Sequence, residues 1–249
     1  MDPSSHKTQK EQEFERAIEA LPEPLQQLCH SGQSVKNLAH LVKNILQMTS
    51  GSFEVIELGF ERKQYDRIER SWGIFEPNFM RLKKFVLDLI KYTKDYPLQK
   101  KVCDLNAVVS RSVESCQYIL KNNEVTVQLQ KDDAIPSMEF DADRVEEMVA
   151  NLITHAIDNL PEHEGTVQIQ TKFLKDHCQV QVSVCDDGAT LTHDVIQSLS
   201  EPLERIGNMV GTGFDIPLAK LCVEQHGGYL EFEGTQPKGN CVHAYLPIQ

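Results

Sequence analysis

Thr166-Val167-Gln168-Ile169-Gln170-Thr171-Lys172-Phe173 and Cys178-Gln179-Val180-Gln181-Val182-Ser183-Val184-Cys185 each alternate apolar and polar residues. Successive side chains of a strand point to opposite faces, so both stretches read as half-buried strands. Lys175–Asp176 supplies the turn between them. Outward from this pair, Glu124–Gln130 alternates in the same way, and Gly228–Gly234 with Cys241–Leu246 reads as a second strand pair. Leu105–Lys121 suits a helix, and Asp141 or Asp143 can N-cap another that runs to about Asp158. Strands mixed with amphipathic helices predict an α+β sandwich, a mixed sheet covered on one face.

The N-terminal part has a different period. Val35, Leu38, Val42, Ile45 and Thr49 recur at helical spacing, as do Ile68, Trp72, Phe75, Phe79, Leu82, Val86, Leu89 and Thr93. Two striped helices joined by a turn at Gly59–Gln64 form an antiparallel hairpin. A lone hairpin cannot bury both its stripe and its flanks, so two copies are expected to pair as a four-helix bundle, making the chain a homodimer. Pro77 falls inside the second helix and is expected to kink it near Gly73. The chain therefore divides into a polar tail and a short helix over 1–30, the hairpin over 31–96, a linker over 97–104 and the sandwich over 105–249. The short helix, over 13–30, is interrupted by Pro22 and Pro24.

Composition narrows the classes. The 249 residues carry a formal net charge of −12 with no basic run, which argues against nucleic acid or an anionic membrane as partner. No stretch has the length of apolar sequence that a membrane span needs, and Met1–Gln12 has no apolar signal core. The seven cysteines (Cys29, Cys103, Cys116, Cys178, Cys185, Cys222 and Cys241) form no C-x-x-C pair. Read as an unpaired set, they point to a reducing, cytoplasmic setting.

His40 is off the apolar stripe. Its neighbours one turn away, Lys36, Asn37, Lys43 and Asn44, are all polar, so its imidazole is expected to face solvent, with Asn44 on the same face. By itself that describes many surface histidines that do nothing.

His40-Leu41-Val42-Lys43-Asn44 resembles the H box of the histidine protein kinases, and Phe85-Val86-Leu87-Asp88-Leu89-Ile90-Lys91-Tyr92-Thr93-Lys94 resembles the end of that family's second helix. Residues 105–249 resemble the ATP-binding fold shared by histidine kinases, gyrase and related ATPases, the GHKL or Bergerat sandwich. Asn151-Leu152-Ile153-Thr154-His155-Ala156 resembles the N box, and Asp186-Asp187-Gly188-Ala189-Thr190 the D-x-G-x-G box. Gly211-Thr212-Gly213-Phe214-Asp215-Ile216 resembles the phosphate-cradling G-T-G-L-G-L loop. Ser200-Glu201-Pro202-Leu203 keeps part of the lid segment. Glu224-Gln225-His226-Gly227-Gly228 with Gly239-Asn240-Cys241-Val242 and Leu246-Pro247 resembles the terminal hairpin, in which His226 reads as structural.

The resemblance implies a two-component transmitter. His40 takes a phosphoryl group from ATP and passes it to an aspartate on a response-regulator receiver domain, and Asn44 serves the reverse step. ATP and Mg²⁺ are the implied cofactors, held by Asn151, His155, Asp186, Gly188, Gly211, Thr212 and Gly213, with Asn151 nearest to a metal ligand. Four departures fall on the chemistry. Leu41 stands where the family has an acidic residue, and His155 replaces the Asn that holds Mg²⁺, a hard ion that prefers oxygen. Thr190 replaces the second glycine of its box, and Asp215 replaces the third glycine of its loop, putting a carboxylate beside phosphate. The expected function is phosphorelay through His40 with a degenerate ATP site. The alternatives are an inactive histidine phosphotransferase that does not hydrolyse ATP and a pseudokinase scaffold.

Overall fold

The structure, a computed structural model, describes residues 32–94, 97–192, 195–196, 199, 212–234 and 239–248. The expected tail and short helix, the lid segment and Gly211 lie outside these residues. The chain divides into two compact units, Met1–Asp95 and Tyr96–Gln249.

The first unit is a hairpin of α1 (Gly32–Glu61) and α2 (Tyr65–Thr93). Leu41, Ile45 and Ile56 from α1 and Phe85 from α2 are buried in the seam between them. Asp88 is only 3% exposed, and Lys84, one turn back, answers its charge at 2.8 Å. The turn is shorter than expected. Gly59–Glu61 stay helical, and the reversal falls on Arg62–Gln64, with Lys63 at φ 53°. Gly59 serves packing: a Cβ there would come within 2.6 Å of Ile68 Cγ1, so glycine lets the two helices close. The helix runs on through Pro77. Gly73, whose carbonyl loses its donor to the proline, is exposed to water.

The expected apolar stripe of α2 splits in two. Ile68, Phe75, Leu82 and Leu89 are half-buried toward α1. Trp72, Phe79 and Val86 are 50%, 49% and 45% exposed. On α1, Leu46, Phe53 and Phe60, spaced by sevens, are also exposed. Phe53 and Phe75 meet across the seam with centroids 6.0 Å apart, and Phe79 stacks on Phe75 at 5.7 Å, so the exposed residues of both helices edge one continuous apolar strip. Among the described residues, no helix is long and apolar enough to cross a membrane.

The second unit begins with β1 (Lys101–Cys103), which pairs antiparallel with β3 (Met138–Phe140) as a small separate ladder that sequence reading passed over. Asp104 caps α3 (Leu105–Ser115), its Oδ1 accepting the Asn106 and Ala107 amides at 2.8 and 3.3 Å. The helix expected to continue to Lys121 breaks at Cys116 into α3 and α4 (Gln117–Asn122). Ser110, Ser112 and Ser115 all turn their hydroxyls back onto helix carbonyls, which bends and weakens a helix.

The main sheet takes β2 (Val125–Gln130), β4 (Gly165–Leu174), β5 (Gln179–Asp186), β6 (Tyr229–Gly234) and β7 (Asn240–Pro247) in the order β2-β4-β5-β7-β6. β2 and β4 are parallel, and every other pairing is antiparallel. Val167 and Ile169, then Val180, Val182 and Val184, then Val242, Ala244 and Leu246 all face the buried core. They meet α3, α5 (Ala142–Asn159) and α6 (Asp215–Gln225), so the helices lie on one face of the sheet. Of the two expected caps for α5, Asp141 does the work: its Oδ1 accepts the Arg144 amide at 3.2 Å, while Asp143 is an exposed first-turn residue.

Candidate functional site

His40 is exposed on α1, as its polar neighbours predict, and so is Asn44 one turn further on. Leu41, the next residue, is 5% exposed and belongs to the hairpin seam. Its packing role explains an apolar residue there, and it leaves His40 without an adjacent carboxylate in sequence. Six residues separate His40 from Leu46, which puts the imidazole roughly 120° around the helix from the apolar strip. A partner that covers the strip therefore leaves His40 in solvent.

In the second unit, the alternation of β5 carries Asp186 to the helix-facing side of the sheet, in step with Val180, Val182 and Val184. Asn240 lies directly opposite on β7 and faces the same way. Asp186 Oδ1 accepts the Gly188 amide at 3.0 Å and Asn240 Nδ2 at 3.0 Å, and Oδ2 accepts Asn159 Nδ2 at 3.3 Å. Burial pushes the Asp186 carboxyl above its usual range, against these three bonds, and the neighbouring Asp187 charge adds to the rise. Gly188 is tied to α5: a Cβ there would run into the Asn159 carbonyl.

The helix residues of the N box share this polar cluster. His155 is 6% exposed, and Asn159 Nδ2 lies 3.2 Å from its Nε2, so one amide group bridges His155 and Asp186. Asn151, one turn earlier, is 4% exposed, and its Nδ2 has no hydrogen-bond partner. An orphaned buried amide is rare and costly in a folded protein.

At the start of α6, Thr212 is buried, and Gly213 takes φ 80°, a conformation that only glycine adopts without strain. The cap position of α6 is Phe214, which is fully buried and makes no side-chain cap bond. Asp215 sits in the first turn, 3% exposed, and its Oδ2 accepts the Thr212 amide at 3.2 Å.

Of the expected residues, the fold gathers His155, Asp186 and Gly188 in one place, and Asn159 and Asn240 join them. The sequence places Asn240 only in the last hairpin. The legible signal was register: a polar residue at the start of β7 opposite the polar end of β5. His226 is structural, as expected. Its Nδ1–H donates to the Cys222 carbonyl at 2.7 Å and its Nε2 accepts the Asp141 amide at 3.1 Å, tying α6 to the start of α5. Burial holds its pKa below the ordinary histidine value. Cys222, beside it, is no nucleophile, because burial pushes its thiol up to about 12. The reading of all cysteines as unpaired is corrected: Cys185 and Cys241, brought opposite by the β5–β7 register, are joined by a disulfide.

Residues 140–249 match the family described as histidine kinase-, DNA gyrase B-, and HSP90-like ATPase. The sensor histidine kinase ZraS of Escherichia coli (strain K12) is 25% identical over 168 residues, covering 68% of this chain and 35% of ZraS. The adaptive-response sensory kinase SasA of Gloeothece citriformis (strain PCC 7424) is 24% identical over 237 residues, covering 90% of this chain and 59% of SasA. By these likenesses the chain resembles a histidine kinase transmitter, with the ATPase match over residues 140–249. Among solved structures, histidine kinase ThkA in complex with response regulator protein TrrA superposes with a TM-score of 0.68 at 18% identity, covering 91% of this chain and 64% of that chain. Full-length ShkA in complex with AMPPNP superposes at 0.62 and 14% identity, covering 84% and 46%. The chain thus spans only 35% of the length of ZraS.

Proposed function

We propose that this chain is a histidine kinase transmitter that works in a phosphorelay. His40 exchanges a phosphoryl group with the aspartate of a response-regulator receiver domain, from a homodimer built on the apolar strip of the hairpin. The observation that carries this reading is the placement of His40: exposed, with Asn44 beside it, and turned away from the strip a second copy would cover. A ring nitrogen of neutral imidazole attacks the phosphorus of the receiver's acyl phosphate and the aspartate carboxylate leaves. The reverse transfer regenerates the free ring. Asn44 is placed to orient the reacting group.

The ATP site is degenerate in this reading, although ShkA, with the same fold, holds AMPPNP. The residues present suit Mg²⁺–ATP poorly. The carboxylate that the family offers to the adenine amino group already accepts three hydrogen bonds within the protein. The Thr212 amide, in the loop that would cradle phosphate, is taken by Asp215. His155 offers a nitrogen where Mg²⁺ prefers oxygen. These contacts favour the second reading within the same family, a histidine phosphotransferase that receives its phosphoryl group from a receiver domain.

Incubation with γ-labelled ATP and Mg²⁺, beside ZraS and a His40→Ala control, separates the two. With no adjacent base, labelling of His40 is expected to be slower than that of an intact kinase by about 10² to 10⁴. Rapid, stoichiometric, acid-labile labelling that disappears in His40→Ala would overturn the degenerate site.

A further inference from the structure

Cys185 and Cys241 are register partners on β5 and β7, with Cα atoms 4.0 Å apart and a disulfide between them. Their side chains project from the sheet face opposite the helices, since their neighbours Val184 and Val242 face the core. Each precedes or follows a residue of the polar cluster. Asp186 comes directly after Cys185 and Asn240 directly before Cys241, and these two are also register partners. Asn240 donates to Asp186 Oδ1 at 3.0 Å and to the Ala189 carbonyl at 3.0 Å, and its Oδ1 accepts the Leu191 amide at 2.7 Å. The Gly188 amide also binds Asp186 Oδ1. The loop after β5 therefore hangs from two strand ends that the disulfide fastens on the opposite face.

We propose that Cys185 and Cys241 are a reversible thiol–disulfide site whose state sets the order of the Asp186–Asn240 pair and of the loop it holds. When the bond opens, the two sulfurs cannot remain at bonding distance. They must separate, and the backbone they stand on carries Asp186 and Asn240. Cys185 is half-buried and Cys241 is 8% exposed, so Cys185 is the sulfur an outside reagent reaches first. The co-reactant is a small thiol/disulfide couple. On oxidation, the Cys185 thiolate attacks one sulfur of RS–SR and expels RS⁻, leaving a mixed disulfide. The Cys241 thiolate then attacks the Cys185 sulfur and expels the second RS⁻. Two protein thiols are oxidised, one RS–SR is reduced to two RSH, and the two thiol protons end on the released thiolates. Reduction runs the same steps backward. Any consequence for nucleotide rests on the ATPase-fold reading of the cluster, whereas the exchange chemistry and the loosening of the loop do not.

The test uses the full chain equilibrated with oxidised or reduced glutathione. Peptide mass mapping follows the Cys185–Cys241 bond, and amide hydrogen exchange is read at Gly188 and Leu191. The bond is expected to form with oxidised and open with reduced glutathione. Opening is expected to speed exchange at those two amides roughly tenfold or more, while the strand amides of Val167 and Val182 keep their protection. Cys185→Ser is expected to exchange like the reduced chain in both buffers. Should that variant fail to fold, the two states of the wild type carry the comparison alone. Failure of the bond to form in oxidised glutathione, identical exchange at Gly188 and Leu191 in both states, or uniform loss of protection would each overturn the proposal. None of these outcomes depends on ATP or on His40.

Discussion

The His155→Asn, Asp215→Gly double variant is expected to bind Mg²⁺–AMPPNP about thirty- to a hundredfold more tightly than the wild-type chain. Two effects contribute. The Asp215 carboxylate accepts the Thr212 amide at 3.2 Å, so a phosphate arriving there meets both an occupied donor and a like charge. At about 5 Å and an effective dielectric near 20, that repulsion is on the order of 3 kcal/mol before screening reduces it. A hydrogen bond from a freed amide to a charged oxygen adds about 1.5 kcal/mol or more. The second effect is at the metal, where an asparagine oxygen replaces an imidazole nitrogen. Against these stand the entropy of a new glycine, about 1 kcal/mol, and the space left by the imidazole. The net gain of about 2 to 2.7 kcal/mol gives the stated range. Asp215→Asn separates the contributions: it removes the charge and keeps an acceptor, so its gain should be intermediate. Titration calorimetry reads the affinity and circular dichroism confirms the fold. A well-folded double variant with no gain would mean that these two residues are not what keeps nucleotide out.

The second large effect concerns assembly. Leu46 and Phe79 are 45% and 49% exposed and lie on the strip shared by α1 and α2. In a four-helix bundle, each copy would bury the remaining surface of both. At roughly 25 cal/mol per Å² of apolar surface, four such side chains per dimer contribute several kcal/mol. Glutamate at these positions also brings four carboxylates into an apolar contact, at a further cost of several kcal/mol unless they are protonated. The Leu46→Glu, Phe79→Glu variant is therefore expected to raise the dimer dissociation constant at least a thousandfold and to sediment as a monomer at micromolar concentration. Its helicity should hold, since Leu41, Ile45, Ile56 and Phe85 of the seam are untouched. A wild-type chain that sediments as a monomer, or a variant that remains dimeric, would remove the strip as the dimer interface.

Much of the architecture was legible because the two periods in the sequence differ so cleanly. Alternation at period two located every strand of the main sheet, and the heptad-like stripes located both helices of the hairpin. Short-range features were read less well. Gly59 looked like a turn residue and proved to be a packing residue, because what decides it is Ile68 on the other helix. The break at Cys116 was hidden because serine hydroxyls compete with helix carbonyls without altering the apolar pattern. At the candidate site, spacing placed His40 and Asn44 on one exposed face and put Asp186 at a strand end. It did not reveal that Asn240 opposes Asp186, nor that Cys241 opposes Cys185, since register across 54 and 56 residues is a tertiary property. Asp215 illustrates the same limit. Its position in the loop puts a carboxylate beside phosphate, while the fold turns that carboxylate back onto the Thr212 amide.

The most direct measurement is phosphoryl transfer to His40 without ATP. Receiver domains from the same organism, each charged with labelled acetyl phosphate and freed of excess donor, are mixed in turn with the wild-type chain and with His40→Ala. The phosphorelay reading requires that at least one receiver put an acid-labile, alkali-stable label on the wild type and none on His40→Ala. Absence of label from every charged receiver, or label that persists in His40→Ala, would contradict it and leave the hairpin as a dimerising scaffold.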